Sequence, residues 1–155
     1  MKKVIPHLII IGLLLGGISQ QAKAQDKGLE FNLNAGALTS FDFDDILFTF
    51  GAGLDYHLGE HISISPELQL WTFNFEFKEI YLNPGIILNF RLKNFFIGGG
   101  VISPFEGLSP IYPYFLPKIN AGFRIKNIKL TLYLIFPNDD FPELFLTGAN
   151  IGIVF

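Results

Sequence analysis

The chain has 155 residues, of which 50% are hydrophobic, 15% aromatic and 16% charged, with no cysteine, a formal net charge of −3 and a mean hydropathy of +0.41. Disorder is excluded because it requires low hydrophobicity and high net charge, and the missing cysteine removes disulfide frameworks, thiolate zinc sites and thiol nucleophiles. Charged residues fall well below the roughly 25% of a soluble domain, so part of the surface is expected to face something other than water.

Residues 1–24 read as a cleaved signal peptide. Lys2 and Lys3 form a positive start, Val4 to Ile18 an apolar run, and Ala22-Lys23-Ala24 the small-residue cleavage signal. The run is too short for a spanning helix of ~20 residues, and Gly12, Gly16 and Gly17 weaken it further. Its removal takes Lys2, Lys3 and Lys23 and no acid, so 11 Lys+Arg become 8 against 14 Asp+Glu and the net charge falls from −3 to −6. An exported, acidic protein lacks the basic face that nucleic acid demands, and no nucleic-acid partner is expected.

Residues 25–155 are expected to form one domain. Their pattern is alternation with period two, the mark of strands with unlike faces. Leu29, Phe31, Leu33, Ala35 and Ala37 share one face of the first segment, and Glu30, Asn32, Asn34 and Gly36 the other. Ile46 to Leu58 follows with Thr49, Asp55 and His57 in its polar set, then Ile62 to Leu70 with Ser63, Ser65, Glu67 and Gln69. Ile80 to Arg91 sets Tyr81, Asn83, Gly85, Asn89 and Arg91 against aliphatics, and Phe95 to Ile102 is a short strand interrupted by Gly98-Gly99-Gly100. In Phe115 to Ile125 the polar members are Lys118, Asn120, Gly122 and Arg124; in Ile128 to Phe136, Lys129, Thr131 and Tyr133; in Phe145 to Phe155, Gly148, Asn150 and Gly152. About eight strands of roughly ten residues result.

Short connections (Gly59 to His61, Leu92 to Asn94, Lys126-Asn127) alternate with longer ones (Thr39 to Asp45, Phe75 to Glu79, Ser103 to Pro113, Pro137 to Glu143), as in a barrel whose two ends differ. Pro66, Pro84 and Pro117 fall inside strands, where bulges or shifted ends are expected because proline cannot donate to the ladder. The three consecutive glycines lack the Lys-Ser/Thr of a phosphate loop and are expected to give a kink or room for a large neighbour such as Tyr81.

A soluble barrel also alternates, but it covers its outside with charge. Here the apolar face carries bulky Leu, Ile and Phe without one charged residue, while the other face is Asn, Gly, Ser, Thr and isolated charges. That distribution puts lipid outside and polar groups within. The expected fold is an all-β, up-and-down antiparallel transmembrane β-barrel of about eight strands, with a soluble ligand-binding barrel as the alternative.

The signal peptide, the strand pattern and the ending Ala149-Asn150-Ile151-Gly152-Ile153-Val154-Phe155 resemble the small outer-membrane β-barrel family of Gram-negative bacteria. The resemblance implies an outer-membrane location, contact with membrane lipid and lipopolysaccharide, and assembly by the barrel-assembly machinery. In that family the machinery reads a terminal aromatic preceded by alternating apolar residues, here Phe155, Ile153 and Ile151. These motifs are generic and imply no activity.

His57, His61, Ser63 and Glu67 could together activate a hydroxyl nucleophile, and some small outer-membrane barrels modify lipid A in this way. The cluster falls at the short-turn end, away from the outer leaflet, so no enzyme is expected and lipid A modification remains the alternative. Glu30, Asp55, Glu67, Arg91, Lys118, Arg124 and Lys129 are expected to form an ion-pair network in a filled lumen, with a proton or ion path as the sharper reading. Asp42, Asp44, Asp45, Glu76, Glu79, Glu106, Asp139, Asp140 and Glu143 fall in the longer loops among Phe41, Phe43, Phe75, Phe77, Phe105, Tyr112, Tyr114 and Phe141. They read either as an interfacial girdle with carboxylates among lipopolysaccharide head groups, or as a surface that captures an unidentified ligand. Asp42-Phe43-Asp44-Asp45 lacks the glycine and distal Glu of a calcium loop, and no metal or cofactor is expected. The expectation is a monomeric, non-enzymatic structural or surface-interaction protein.

Overall fold

The computed structural model describes residues 28–40, 46–73, 80–106, 109–110, 115–136 and 145–155. The expected signal peptide lies outside them. Among these residues run β1 (Leu29–Ser40), β2 (Ile46–His57), β3 (Ile62–Phe73), β4 (Ile80–Leu92), β5 (Phe95–Ile102), β6 (Phe105–Glu106), β7 (Ser109–Pro110), β8 (Leu116–Ile125), β9 (Ile128–Ile135) and β10 (Leu146–Val154). Eight of them form a closed wall in the order β1-β2-β3-β4-β5-β8-β9-β10, each antiparallel to its neighbours, and β10 pairs back onto β1.

Closure carries a stagger. Stepping between cross-strand partners from Leu29 passes Tyr56, Ile64, Leu88, Gly99, Ile119, Leu134 and Thr147 and arrives at Thr39, ten residues further along β1. Such a stagger tilts the strands by about 35–45° and closes the sheet without an edge. The short turns are tight. Lys93 and Lys126 each open a two-residue turn at φ 54°, a left-handed position shared by the turn types that match strand twist.

The wall is inside-out relative to a water-soluble protein. Leu68, Leu88, Leu132 and Ile151 are 43%, 55%, 66% and 56% exposed, and no described wall residue of outward parity is charged. Thr49, Ser63, Gln69 and Asn83, of opposite parity, are buried. An apolar surface of this extent far exceeds the few hundred Å² that a soluble monomer leaves open, and hydrocarbon is the solvent it matches. The fold is therefore the expected up-and-down transmembrane β-barrel, with eight wall strands. Phe31 shares the outward parity yet is 7% exposed, its ring 6.1 Å from that of Phe155.

Three local expectations are corrected. Pro66, Pro84 and Pro117 introduce no bulge: Gly53↔Glu67 and Tyr56↔Ile64 on either side of Pro66 keep one register, as do the ladders through Pro84 and Pro117. An antiparallel residue directs its N–H toward one neighbour only, so each proline costs one rung and leaves the other ladder intact. The wall does not end at Ile102 either. Phe105 and Glu106 meet Leu82 and Tyr81 in the same register in which Ile102 meets Gly85, so β6 prolongs β5 beyond the non-donating Pro104, and β7 folds back on it. Finally, the side chains over Gly98 are the amides of Asn89 and Asn120, and Gly100 lies against the β4 backbone at Ile86; Tyr81 is not their neighbour.

Arginine at Leu132, near the middle of β9 and paired with Ala121 and Ala149, is expected to lower folding stability in bilayers by about 2–4 kcal/mol, whereas isoleucine should cost under about 1.5 kcal/mol. Urea titration of refolding into phosphatidylcholine vesicles measures both. Equal stability of the two variants would mean that this face does not meet lipid.

Candidate functional site

Strand parity turns one set of side chains into the lumen, and that set changes character along the axis. At the end of the longer connections Leu38, Trp71, Ile102, Leu116 and Ile135 form a buried apolar plug with Tyr133, against which Leu47, Tyr81 and Leu146 pack. Alternation places Tyr81 and Tyr133 on the inward face but assigns none of the aliphatic members, nor Trp71, to the lumen. The signal for them is its loss: apolar runs such as Ile46-Leu47-Phe48, Leu70-Trp71 and Leu134-Ile135-Phe136 stand at that end, apolar on both faces.

Below the plug the lumen is polar. All seven expected charged residues face it, and six of them form three pairs. Lys118 Nζ lies 2.5 Å from Glu67 Oε1, Arg124 Nη1 2.5 Å from Glu30 Oε2, and Lys129 Nζ 2.8 Å from Asp55 Oδ2. The Lys118 side chain is 2% exposed and its ammonium stands 4.6 Å from the Tyr133 ring centroid; that of Lys129 stands 5.0 Å over Phe96. Cations so deprived of water are held by their carboxylates and by ring faces. Gly148 and Gly122 leave the space these aromatics occupy, since a Cβ there would run into the rings of Tyr133 and Phe96.

Asp55 is the hub of the neutral groups. Its carboxylate accepts from Ser65 Oγ at 2.5 Å and from Asn32 Nδ2 at 3.4 Å, and Ser65 Oγ accepts from Asn89 Nδ2 at 2.8 Å. Asn34 donates to Asn32, Asn150 to Asn34, and Thr49 to Asn150, which carries the chain of bonds up the lumen toward the plug. Between these groups and the Lys118–Glu67 pair lies a cavity of ≈ 40 Å³, room enough for water among polar partners.

Arg91 is the seventh charge. Its Nη1 lies 2.6 Å from His57 Nδ1 and 3.0 Å from Nε2, the shorter contact being the hydrogen bond. A guanidinium only donates, so Nδ1 is the acceptor and the ring proton sits on Nε2, which donates to Glu30 Oε2 at 2.9 Å. Both ring nitrogens are thus occupied. Ser63 is the cross-strand partner of His57, but the imidazole has no lone pair left to accept its proton. Glu67 is held by Lys118, and His61 stacks on Phe90 with centroids 5.9 Å apart. The four residues considered as a nucleophile cluster do not come together as one.

Of the outer-loop carboxylates, Asp42, Asp44, Asp45, Glu76, Glu79, Asp139, Asp140 and Glu143 lie outside the described residues. Glu106 stands on β6, not in a loop, because the β4 register continues to it. Among the described residues no group of three or more His, Asp or Glu is arranged to hold a metal ion. Ile151, Ile153 and Phe155 project outward, 56%, 54% and 55% exposed, and the Phe155 N–H donates to Phe31 O at 2.8 Å.

The chain matches no protein-family profile and no curated protein sequence. In fold it is similar to a de novo designed transmembrane β-barrel (13% identity over 84% of this chain and 97% of that one, TM-score 0.49). It is also similar to the N-terminal β-barrel domain of Pseudomonas aeruginosa OprF (14%, 81% and 97%, 0.48) and to the Yersinia pestis outer membrane protein Ail in a bilayer nanodisc (14%, 83% and 100%, 0.49). These likenesses concern the course of the backbone.

Removing one partner of the Lys118–Glu67 pair leaves a buried charge without its counter-ion. Glu67→Gln and Lys118→Met are each expected to cost about 3–5 kcal/mol, and the double variant to recover most of the loss. A double-mutant cycle by urea unfolding checks this; additive losses would mean that the two groups do not interact.

Proposed function

We propose that the protein is a non-enzymatic β-barrel of the Gram-negative outer membrane, exported by cleavage after residue 24 and acting as a structural or surface-interaction protein through its acidic, aromatic-rich longer loops. The observation that carries this reading is the inside-out wall around a lumen filled by its own side chains. A wall without outward charge is suited to lipid, and a lumen closed by Leu38, Trp71, Ile102, Leu116 and Ile135 leaves no water column from end to end. The engaged imidazole of His57 supports a lumen without catalysis. The reading includes assembly by the barrel-assembly machinery through Phe155, contact with lipid and lipopolysaccharide, and a monomeric state.

Fractionation is expected to place the protein in the outer membrane, with an unboiled form that migrates fast on a gel. Deleting Phe155 should slow appearance of that form and leave unfolded protein in the periplasm, because the final strand must find the first before the backbone is satisfied in lipid. Purified protein in a planar bilayer should show no large stable pore. Release in soluble form, or porin-like conductance, would overturn the proposal.

A further inference from the structure

The lumen charges do not balance. Glu30, Asp55 and Glu67 are matched by Arg124, Lys129 and Lys118, which leaves Arg91 over. Its hydrogen-bond partner is the Nδ1 of His57, a ring nitrogen that can accept a hydrogen bond and cannot neutralise a positive charge. Only one of the five guanidinium donors is used there, and among the described residues Arg91 has no carboxylate partner. A half-buried arginine with donors to spare is costly unless an anion or water meets it.

The place it occupies is open. At the short-turn end a shallow hollow, open to solvent, is lined by Arg91, Lys93, Arg124 and Lys129 against Glu30 and Asp55. Both carboxylates are already engaged within the lumen, so the hollow presents the surplus of Arg91 together with Lys93 from the adjacent turn. A guanidinium offers a planar fork that fits two oxygens of a tetrahedral oxyanion, and an ammonium on a flexible stem supplies a second point charge.

We propose that this short-turn mouth is a binding site for a phosphate-class oxyanion, with Arg91 as its principal ligand, Lys93 as its second and His57 as the group that holds Arg91 in place. The anion supplies the missing counter-charge. It comes either from solution or from a lipid head group at that interface. The rival occupant within the chain is the carboxylate of Asp26, which lies outside the described residues, shortly before Gly28.

The test is a titration of the refolded full barrel, in phosphate-free maltoside micelles, with sodium phosphate against sodium chloride at matched ionic strength, followed by NMR of the arginine and histidine side chains. Saturable shifts of Arg91 and His57 with phosphate alone are expected. Lys93→Asn, which suits the left-handed turn position, should weaken binding about three- to tenfold, and Arg91→Gln, checked for folding by heat-modifiability, should abolish it. Shifts that never saturate, or a Lys93→Asn variant that binds as the wild type does, overturn the proposal. Binding that emerges only in Asp26→Asn also overturns it, since the chain then supplies its own anion. The same shifts in phosphatidylglycerol vesicles without added phosphate identify a lipid source; their absence there, with saturation in micelles, identifies a soluble one.

Discussion

The seam between β1 and β10 is the constraint on which everything else rests. In hydrocarbon a free strand edge leaves a row of N–H and C=O groups without partners, each costing several kcal/mol, so the chain is stable there only as a ring. The ladder from Asn32↔Val154 to Ser40↔Leu146 closes that ring, and Phe155 prolongs it by one more bond to Phe31. Once the ring and its stagger are set, the pleat determines which side chains meet lipid and which fill the lumen. The interior prolines obey the same constraint, since each removes one rung and leaves the register unbroken.

A lumen so narrow has to be filled, and the chain fills it in two chemistries. The polar part relies on pairing: three ion pairs and a relay of amides and hydroxyls from Asp55 to Thr49, with six of the seven lumen charges meeting an opposite one in a region of low dielectric. The apolar part uses Leu, Ile and Trp and incurs no such desolvation. Tyr133 joins the two, its ring packed in the plug and beneath Lys118, its hydroxyl toward Asn150.

The wall was legible in the sequence because period-two alternation is local: the outward face, the strand number, the short turns and all seven lumen charges can be read from parity. The partners of those charges cannot. Glu30 meets Arg124 and Asp55 meets Lys129 across strands far apart in sequence, and only the stagger of the closed ring sets them at the same height. The plug was hidden for a different reason. An inward Leu38 or Ile135 beside an outward apolar neighbour produces a run of hydrophobic residues, which blurs the alternation by which strands are recognised. Glu106 was placed in a loop because Ser103 and Pro104 look like a strand end; the β4 register passes across them.

The two ends of the barrel thereby differ in chemistry. The plug closes the lumen beneath the longer connections, and its described members Leu38, Trp71, Ile102, Leu116, Tyr133 and Ile135 stand on or directly beside the wall strands. Loops carried on a rigid scaffold in general tolerate changes in length and charge, which is the condition under which a surface acquires a binding role. The short-turn end has no such freedom. Its turns are two residues long at Lys93-Asn94 and Lys126-Asn127, and its charges Glu30, Arg91 and Arg124 are tied to each other through His57 and Glu30. A chemical feature at that end is therefore fixed by the architecture of the wall.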